Sequence, residues 1–185
     1  MAKKVLVPIA DGTEEIEAAC IIDTLRRAGA EVTVASVDKL QVTASRGMKL
    51  VADTLIADCA SQTYDCIALP GGMPGAEHLR DCAELTAMLK KQKAAGRLYG
   101  AICASPAVAL LPHGLLEGVK ATCYPSMQSK LNPALASDER VAVDGNCVTS
   151  QGPATAIEFA LMLVEMLYGP QKAREVGDPM LVPLA

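Results

Sequence analysis

The sequence predicts an α/β fold in which helices cover both faces of a mostly parallel β-sheet. Short apolar segments of strand length alternate along the chain with longer segments whose apolar residues recur at helical spacing. Glycine and proline punctuate the boundaries between these segments. Strands that alternate with helices pair in parallel, because each crossover helix returns the chain to the same edge of the sheet.

The first half of the chain begins with a predicted β-α-β unit. Its strands are recognised by short apolar or alternating runs, and its helix by an apolar face that ends at a glycine. In order, the predicted elements are a strand Lys4–Ile9, a helix Glu14–Ala28 closed by Gly29, a strand Glu31–Val37, and short strands within residues 40–56 around a turn at Arg46 and Gly47.

The second half continues the alternation. An apolar strand in the segment DCIALPGG runs into a glycine-rich loop, and further strands and helices follow. The remaining predicted elements are a helix His78–Ala95, a strand Leu98–Ile102, a helix Ala104–Leu111, a short strand near Ala121, a strand pair Val141–Val143 and Cys147–Thr149, and a helix that opens at Pro153 and ends before Gly169 and Pro170.

Length and charge limit the classes of function. The chain of 185 residues is predicted to form a single domain, residues 1–185. Its net charge is −4 with both signs interspersed, so it lacks the basic surface that nucleic acid or an anionic membrane would require. The first apolar run ends at Pro8, too short for a signal peptide, and no later run has the length of a membrane span.

The seven cysteines predict reduced thiols. Their number is odd, and they form neither a CxxC pair nor a cluster with histidine. Neither a disulfide framework nor a zinc site is therefore indicated, and a cytoplasmic location is expected.

In such a fold, functional residues lie mainly at the carboxyl ends of the strands. Cys103 stands there, between the predicted strand Leu98–Ile102 and the helix that follows it. A helix N-terminus stabilises a thiolate, and the small residues Ala104 and Ser105 leave room for a tight turn that resembles a nucleophile elbow. The residues alone leave two interpretations open: a reactive, partly ionised thiol or a buried structural cysteine.

Glu17 is a second candidate. Residues at helical spacing from it, such as Cys20, Ile21 and Leu25, are largely apolar, which indicates that its carboxyl points inward. Burial would raise the pKa of that carboxyl and suit it to general acid or base chemistry. The alternative is a side chain at the edge of this face whose carboxyl reaches water.

The glycine loop Gly71–Gly75 does not match a nucleotide-binding pattern. It could present backbone N–H groups as an oxyanion hole, or it could be a simple tight turn. The two histidines give little support to a Cys-His pair, since His113 is expected at the far end of its helix and His78 on the surface.

Five segments, in order, resemble the ThiJ/PfpI superfamily. They are LVPIADGTEEIEA, TASRGMKLVAD, ALPGGMPGA, GAICASPAVAL and TSQGPATAIEFAL, and together they span nearly the whole chain. The branch that the sequence resembles most is that of the parkinsonism-associated protein deglycase, also described as glutathione-independent glyoxalases. The resemblance implies a flavodoxin-like three-layer α/β/α sandwich and a homodimer.

The resemblance also implies roles for individual residues. By its motifs, Cys103 is the nucleophile and Glu17 its carboxyl partner, and the N–H groups of Gly72 and Ala104 form the oxyanion hole. The resemblance further associates two arginines, Arg46 and Arg27, with a basic rim near the pocket.

The implied activity is conversion of methylglyoxal or glyoxal to a hydroxy acid without metal or organic cofactor, together with removal of early glycation adducts. The alternative is a redox sensor or holdase chaperone that acts through oxidation of Cys103 to sulfinate. Three positions depart from the pattern of many relatives: Tyr124 replaces a histidine, and Gln151 and Ala154 stand where SRGPGT is usual. Ala104 takes the place of the histidine that the protease branch carries, so peptidase activity is not expected.

Overall fold

A computed structural model describes residues 2–182 of the chain. Seven strands form one sheet in the order β5-β2-β1-β6-β7-β9-β8, and two more form a separate antiparallel ribbon, β3-β4. The strands are β1 (Lys4–Ile9), β2 (Glu31–Ser36), β3 (Gln41–Thr43), β4 (Lys49–Val51), β5 (Thr54–Leu55), β6 (Cys66–Leu69), β7 (Leu98–Ile102), β8 (Val141–Asp144) and β9 (Cys147–Ser150).

The sheet is parallel except at one edge. β1 pairs with β2 over its whole length, from Lys4 opposite Glu31 to Ile9 opposite Ser36, and β7 pairs in parallel with β6 and β9. Only β8 runs antiparallel to its neighbour. The carboxyl ends of β1, β6 and β7 therefore meet at one edge, which is where the candidate site lies.

Helices cover both faces of this sheet, as the alternation of elements predicts. They are α1 (Glu15–Arg27), α2 (Ile56–Cys59), α3 (Gly75–Asp81), α4 (Ala83–Ala94), α5 (Ala156–Tyr168) and α6 (Pro170–Gly177). Successive side chains of β1 point to opposite faces, so Val5 joins the core beneath α1 and α5 while Leu6 joins the core beneath α3 and α4. The result is a three-layer sandwich of the flavodoxin-like type, with both faces of the central strands buried.

Most predicted elements are confirmed within one or two residues. β1 and β7 have the predicted bounds, and the predicted pair of strands near residues 141 and 147 is the antiparallel hairpin β8-β9. The short strand expected near Ala121 is only an isolated parallel bridge to Ala136. Pro170 does more than follow a helix end: it opens α6, which the sequence pattern does not reveal.

The prediction of one continuous helix over His78–Ala95 is wrong. The helical segment begins earlier, at Gly75, and is divided into α3 and α4 by Cys82, whose backbone is extended with ψ of 107°. Cys82 lies at the N-cap position of α4, and its carbonyl accepts the N–H of Thr86. A break of one residue leaves the apolar periodicity nearly unchanged, so the pattern cannot show it.

The helix predicted over Ala104–Leu111 is also corrected. Residues Pro106–Leu110 form a π-helical turn in which the Leu111 N–H bonds to the Pro106 carbonyl, and a 3₁₀ turn, Leu111–His113, follows. Pro112 has no N–H to continue a regular helix, and Gly114 ends the turn in the left-handed conformation. Among residues 2–182, no helix is long and apolar enough to cross a bilayer.

Candidate active site

Cys103 occupies a sharp turn directly after the central strand β7. Its φ is +64°, a left-handed conformation that residues other than glycine adopt only under constraint. Two backbone hydrogen bonds supply that constraint: the Cys103 N–H donates to the Ser150 carbonyl at 2.9 Å, and its carbonyl accepts the Tyr124 N–H at 2.8 Å. The turn therefore holds the thiol at a fixed place beside the ends of β1 and β6.

Gly71 is the point at which the thiol and a carboxyl converge. An ideal Cβ built on Gly71 would lie 2.7 Å from the Cys103 Cβ and 2.9 Å from the Glu17 Oε2. No side chain fits there without displacing one of these groups. Sequence reasoning placed Gly71 in a loop but missed this role; the glycine doublet in PGG is the signal that could have indicated it.

The glycine loop is pressed against the first loop of the sheet. Gly72 has φ of +90°, and a Cβ on it would collide with the backbone of Gly12 and Glu14. The Glu14 N–H also donates to the Gly71 carbonyl at 2.9 Å. This packing directs the Gly71 N–H to Glu17 and the Gly72 N–H to the Cys103 sulfur.

Glu17 is fully buried, so its carboxyl points inward as the apolar spacing predicts, and the water-exposed alternative is wrong. Its Oε2 accepts the Gly71 N–H at 2.7 Å, whereas its Oε1 is buried without a hydrogen-bond partner. Burial raises the pKa of Glu17 to about 7, and the negative charge of Glu14 adds to this, against the lowering effect of Gly71 and Cys103. This carboxyl can therefore gain or lose a proton near neutral pH.

The surroundings of the Cys103 sulfur oppose its ionisation, whereas a helix N-terminus alone would favour it. Burial raises its pKa to about 12, and the charge and hydrogen bond of Glu17 act in the same direction. The N–H groups of Gly72 and Ala104 lower the pKa but do not outweigh these effects. Because the charge of Glu17 disfavours a thiolate, transfer of the thiol proton to Glu17 would remove that repulsion.

The other cysteines differ from Cys103 in their position in the fold. All seven lie in the described part of the chain and carry free thiols. Burial raises the pKa of Cys147 to about 12 and that of Cys123 to about 11. A high pKa is therefore common to these thiols. Cys82 also has a carboxylate, that of Glu84, and the N–H groups of Glu84 and Leu85 near its sulfur. The features that distinguish Cys103 are its left-handed turn after β7 and the complete burial of its carboxyl partner, Glu17.

The two predicted rim arginines occupy different places. Glu15 fixes the turn that carries Arg46, since its carboxylate accepts the Arg46 N–H at 2.9 Å and the Ser45 hydroxyl at 3.0 Å. Arg46 is thus an exposed residue beside the start of α1, on the same edge as Glu17. Arg27 ends that 13-residue helix, about 15 Å from Glu17 along the helix axis, and pairs with Asp23 at 2.6 Å. Within one chain, Arg27 does not line the pocket, contrary to expectation.

Tyr124 lies at the rim of the site, and its side chain is 44% exposed. Its backbone is bonded to Cys103, and its ring lies 3.5 Å from the position that a Cβ on Gly152 would occupy. The histidines are engaged elsewhere: His78 contacts the Asp11 carbonyl at 2.9 Å, and His113 contacts the Arg80 carbonyl at 2.8 Å.

A cavity of about 510 Å³ lies at the ends of β1 and β2. His78 lines this cavity, but Cys103 and Glu17 do not. Within residues 2–182, no three side chains of His, Cys, Asp or Glu are grouped as ligands for a metal ion.

The turn at Cys103, which follows a central parallel strand and has a buried carboxyl beside it, resembles a nucleophile elbow on a flavodoxin-like fold. The sequence profile described as the DJ-1/PfpI family matches residues 3–166, and the chain belongs to that family.

Three comparisons show how close its relatives are. The chain is 53% identical over 182 residues to Protein DJ-1 homolog B of Arabidopsis thaliana, covering 97% of this chain but only 42% of the relative's length. It is 37% identical to the Glutathione-independent glyoxalase DJR-1.2 of Caenorhabditis elegans, covering 95% of this chain and 94% of that protein. The solved structure of oxidized Toxoplasma gondii DJ-1 superposes with a TM-score of 0.98 at 55% identity, covering 99% of this chain and 100% of that one.

Proposed function

We propose that the protein is a glutathione-independent glyoxalase that converts methylglyoxal or glyoxal to the corresponding hydroxy acid. The observation that carries this proposal is the convergence of the Cys103 thiol and the Glu17 carboxyl on Gly71. An internal thiol can do what glutathione does in other glyoxalases, namely form a hemithioacetal with the aldehyde. The name of the Caenorhabditis elegans relative supports the same reaction.

The first step is addition of the thiol to the aldehyde carbon. Glu17 accepts the Cys103 proton as sulfur attacks, which its pKa of about 7 allows in its ionised form. The carbonyl oxygen becomes negative, and the N–H groups of Gly72 and Ala104, which face the sulfur, are placed to donate to it. Return of the proton to this oxygen gives a neutral hemithioacetal and regenerates the Glu17 carboxylate.

The second stage moves a proton between neighbouring carbons. The Glu17 carboxylate removes the hydrogen of the former aldehyde carbon, giving an enediolate and a protonated Glu17. Glu17 then returns the proton to the adjacent carbon, and the hydroxyl proton of the former aldehyde carbon passes to the oxygen of that neighbour. The product is a thioester of the hydroxy acid on Cys103. Water hydrolyses it, releasing lactate from methylglyoxal or glycolate from glyoxal and restoring the thiol.

The direct test is an assay of the purified protein with methylglyoxal in the absence of glutathione. We expect lactate to accumulate over many turnovers per protein chain, because each cycle restores the thiol. Heat-denatured protein is the control for spontaneous conversion. Consumption of methylglyoxal limited to one equivalent per chain, with no lactate, would contradict the proposal. Removal of early glycation adducts is a second activity of the same site, to be assayed on glycated peptides.

A redox role is the second candidate. Glu17 Oε1 is fully buried and unpartnered beside Cys103, so a protonated Glu17 has a donor available for an oxygen on the sulfur. Such a bond would favour a sulfinate formed by mild peroxide. Oxidation of Cys103 without any lactate formation in the assay above would favour this candidate over the glyoxalase.

We further propose that two copies of the chain associate through an apolar patch formed by α1, β4 and Met48, the residue before β4. The patch consists of Ile16, Ala19, Ile22, Met48 and Val51, and Ile16, Met48 and Val51 are 54%, 56% and 69% exposed. Large apolar side chains exposed together are typical of an interface between proteins.

Light scattering in reducing buffer should give twice the chain mass of 19.3 kDa. Val51→Glu places a charge in the patch and should give a monomer, because an unpaired charge in an apolar interface is costly. Val143→Glu, on the edge strand β8 and 38% exposed, is the matched control and should leave the dimer intact. A monomeric parent protein would refute this mode of association.

A further inference from the structure

One peptide group connects a buried serine to the Glu17 carboxyl. The Ser105 hydroxyl donates to the Pro70 carbonyl at 2.6 Å, and the Gly71 N–H donates to Glu17 Oε2 at 2.7 Å. The Pro70 carbonyl and the Gly71 N–H are the two ends of the same peptide bond. The result is an uninterrupted series of two hydrogen bonds from Ser105 through this peptide to Glu17.

The whole series is shielded from water. Ser105 and Glu17 have no exposed surface, and Pro70 and Gly71 are buried as well. In such surroundings, hydrogen bonds in a series polarise one another, so a donor to the carbonyl makes the N–H of the same peptide a stronger donor. The Ser105 hydroxyl therefore strengthens the hydrogen bond that Glu17 accepts, although Ser105 does not contact Glu17.

The orientation of Ser105 is not explained by its own helix. It stands at the N-cap position of the Pro106–Leu110 turn, where a serine hydroxyl ordinarily bonds to nearby backbone N–H groups. Its side chain makes no such bond and instead reaches a residue 35 positions earlier in the chain. That bond ties the residue two positions after Cys103 to the start of the glycine loop.

We propose that Ser105 is a positioning residue for the active site, whose hydroxyl orients and polarises the Pro70–Gly71 peptide so that its N–H holds the Glu17 carboxylate. The importance of Ser105 for catalysis rests on the proposed function. Its physical effect, stabilisation of ionised Glu17, exists without substrate and can be measured without turnover.

The charged and titratable groups around Glu17 determine whether loss of the Ser105 hydroxyl raises or lowers the pKa of Glu17. Glu14 and Cys20 lie on its own helix and Cys103 faces it from the turn after β7. The negative charge of Glu14 disfavours the Glu17 carboxylate. The Gly71 N–H and the Cys103 thiol favour it, and Gly71 has the larger effect. A weaker Gly71 donor should therefore move the titration of Glu17 to higher pH.

The test follows the Glu17 titration by NMR of isotope-labelled glutamate carboxyls, in a Cys103→Ala background that removes the coupled thiol. The Glu17 signal is identified by its loss in Glu17→Gln. Ser105→Ala should raise the midpoint by about half a pH unit, the size expected when a hydrogen bond to a charged group loses part of its strength. Ser105→Thr keeps the hydroxyl and should keep the parent midpoint, and Ser105→Cys, a weaker donor of similar size, should lie between.

Tyr99→Phe is the matched control. It also removes a fully buried hydroxyl that donates to a backbone carbonyl, that of Leu115 at 2.8 Å, but it lies at the other end of β7. Its Glu17 midpoint should equal that of the parent. Equal midpoints in Ser105→Ala, Ser105→Cys and Tyr99→Phe would overturn the proposal, and Ser105→Cys decides it if the alanine variant does not fold.

Kinetics give a separate readout in the protein that retains Cys103. Ser105→Ala should shift the acid limb of kcat for methylglyoxal to higher pH and leave KM unchanged, whereas general loosening of the site would alter both. A parent protein without turnover would refute the glyoxalase function. The NMR titration would still decide the role of Ser105, so the two failures are distinguishable.

Discussion

Replacing Cys103 by serine should reduce the rate of lactate formation from methylglyoxal by about three orders of magnitude or more. Loss of a catalytic nucleophile typically has an effect of this size. A serine hydroxyl is far less acidic than a thiol, and a Glu17 carboxylate with a pKa of about 7 is too weak a base to activate it. The amides of Gly72 and Ala104 would then have no adduct to stabilise. The assay is lactate formation without glutathione, on variants shown to be folded by circular dichroism.

Two further cysteine variants are controls for this result. Cys20→Ser changes a half-buried thiol one helical turn from Glu17, and Cys123→Ser changes a buried thiol next to Tyr124. Neither has the pair of amides that faces Cys103, so both should retain most of the activity. Turnover by Cys103→Ser at the parent rate would show that the nucleophile is elsewhere. Loss of activity in all three variants would indicate general damage by serine substitution.

The order of strands and helices could be predicted because it depends on patterns many residues long. β1 and β7 are continuous apolar runs, and they read as buried parallel strands with their observed bounds. The break at Cys82 and the π-helical turn after Cys103 each depend on the conformation of one or two residues. Packing selects those conformations, so the periodicity of the sequence does not reveal them.

The site was predictable where it depends on spacing and not where it depends on three-dimensional packing. The apolar face around Glu17 indicated an inward carboxyl, and the strand-to-helix junction indicated Cys103. The raised pKa of Cys103 could not be predicted, because the burial of its sulfur and its contact with Glu17 depend on packing. The bond from Ser105 joins residues 35 positions apart, and no local pattern indicates such a contact.

Replacing Glu17 by glutamine should abolish aldehyde turnover and, at the same time, stabilise the fold above pH 7. Glutamine can still accept the Gly71 N–H but cannot take up a proton from the thiol or from carbon. An inactive variant that is more stable than the parent excludes unfolding as the cause of its inactivity. Retention of turnover in Glu17→Gln would remove Glu17 from the proposed mechanism.

The sign of the stability change follows from the raised pKa of Glu17. The ordinary value is 4.5, and in the folded protein the pKa is about 7. Well below pH 4.5 the carboxyl is neutral in both the folded and the unfolded states, so its ionisation does not change the free energy of unfolding. As the pH rises towards 7, only the unfolded state ionises readily, and the parent protein loses stability. Glutamine does not ionise, so its advantage should grow over this interval and level off at up to about 3 kcal/mol.

Glu15→Gln is the matched control for this effect, because Glu15 is a buried glutamate in the same helical turn whose pKa is shifted in the opposite direction. Burial alone would raise the pKa of Glu15, but hydrogen bonds from its own N–H, the Arg46 N–H and the Ser45 hydroxyl outweigh burial and lower it. Its ionised form therefore stabilises the fold, and Glu15→Gln should be less stable than the parent at neutral pH. Urea unfolding at about pH 5 and about pH 8 measures both variants under the two conditions that matter. Equal stability of Glu17→Gln and the parent at the higher pH would show that Glu17 is not held in the folded protein with a raised pKa.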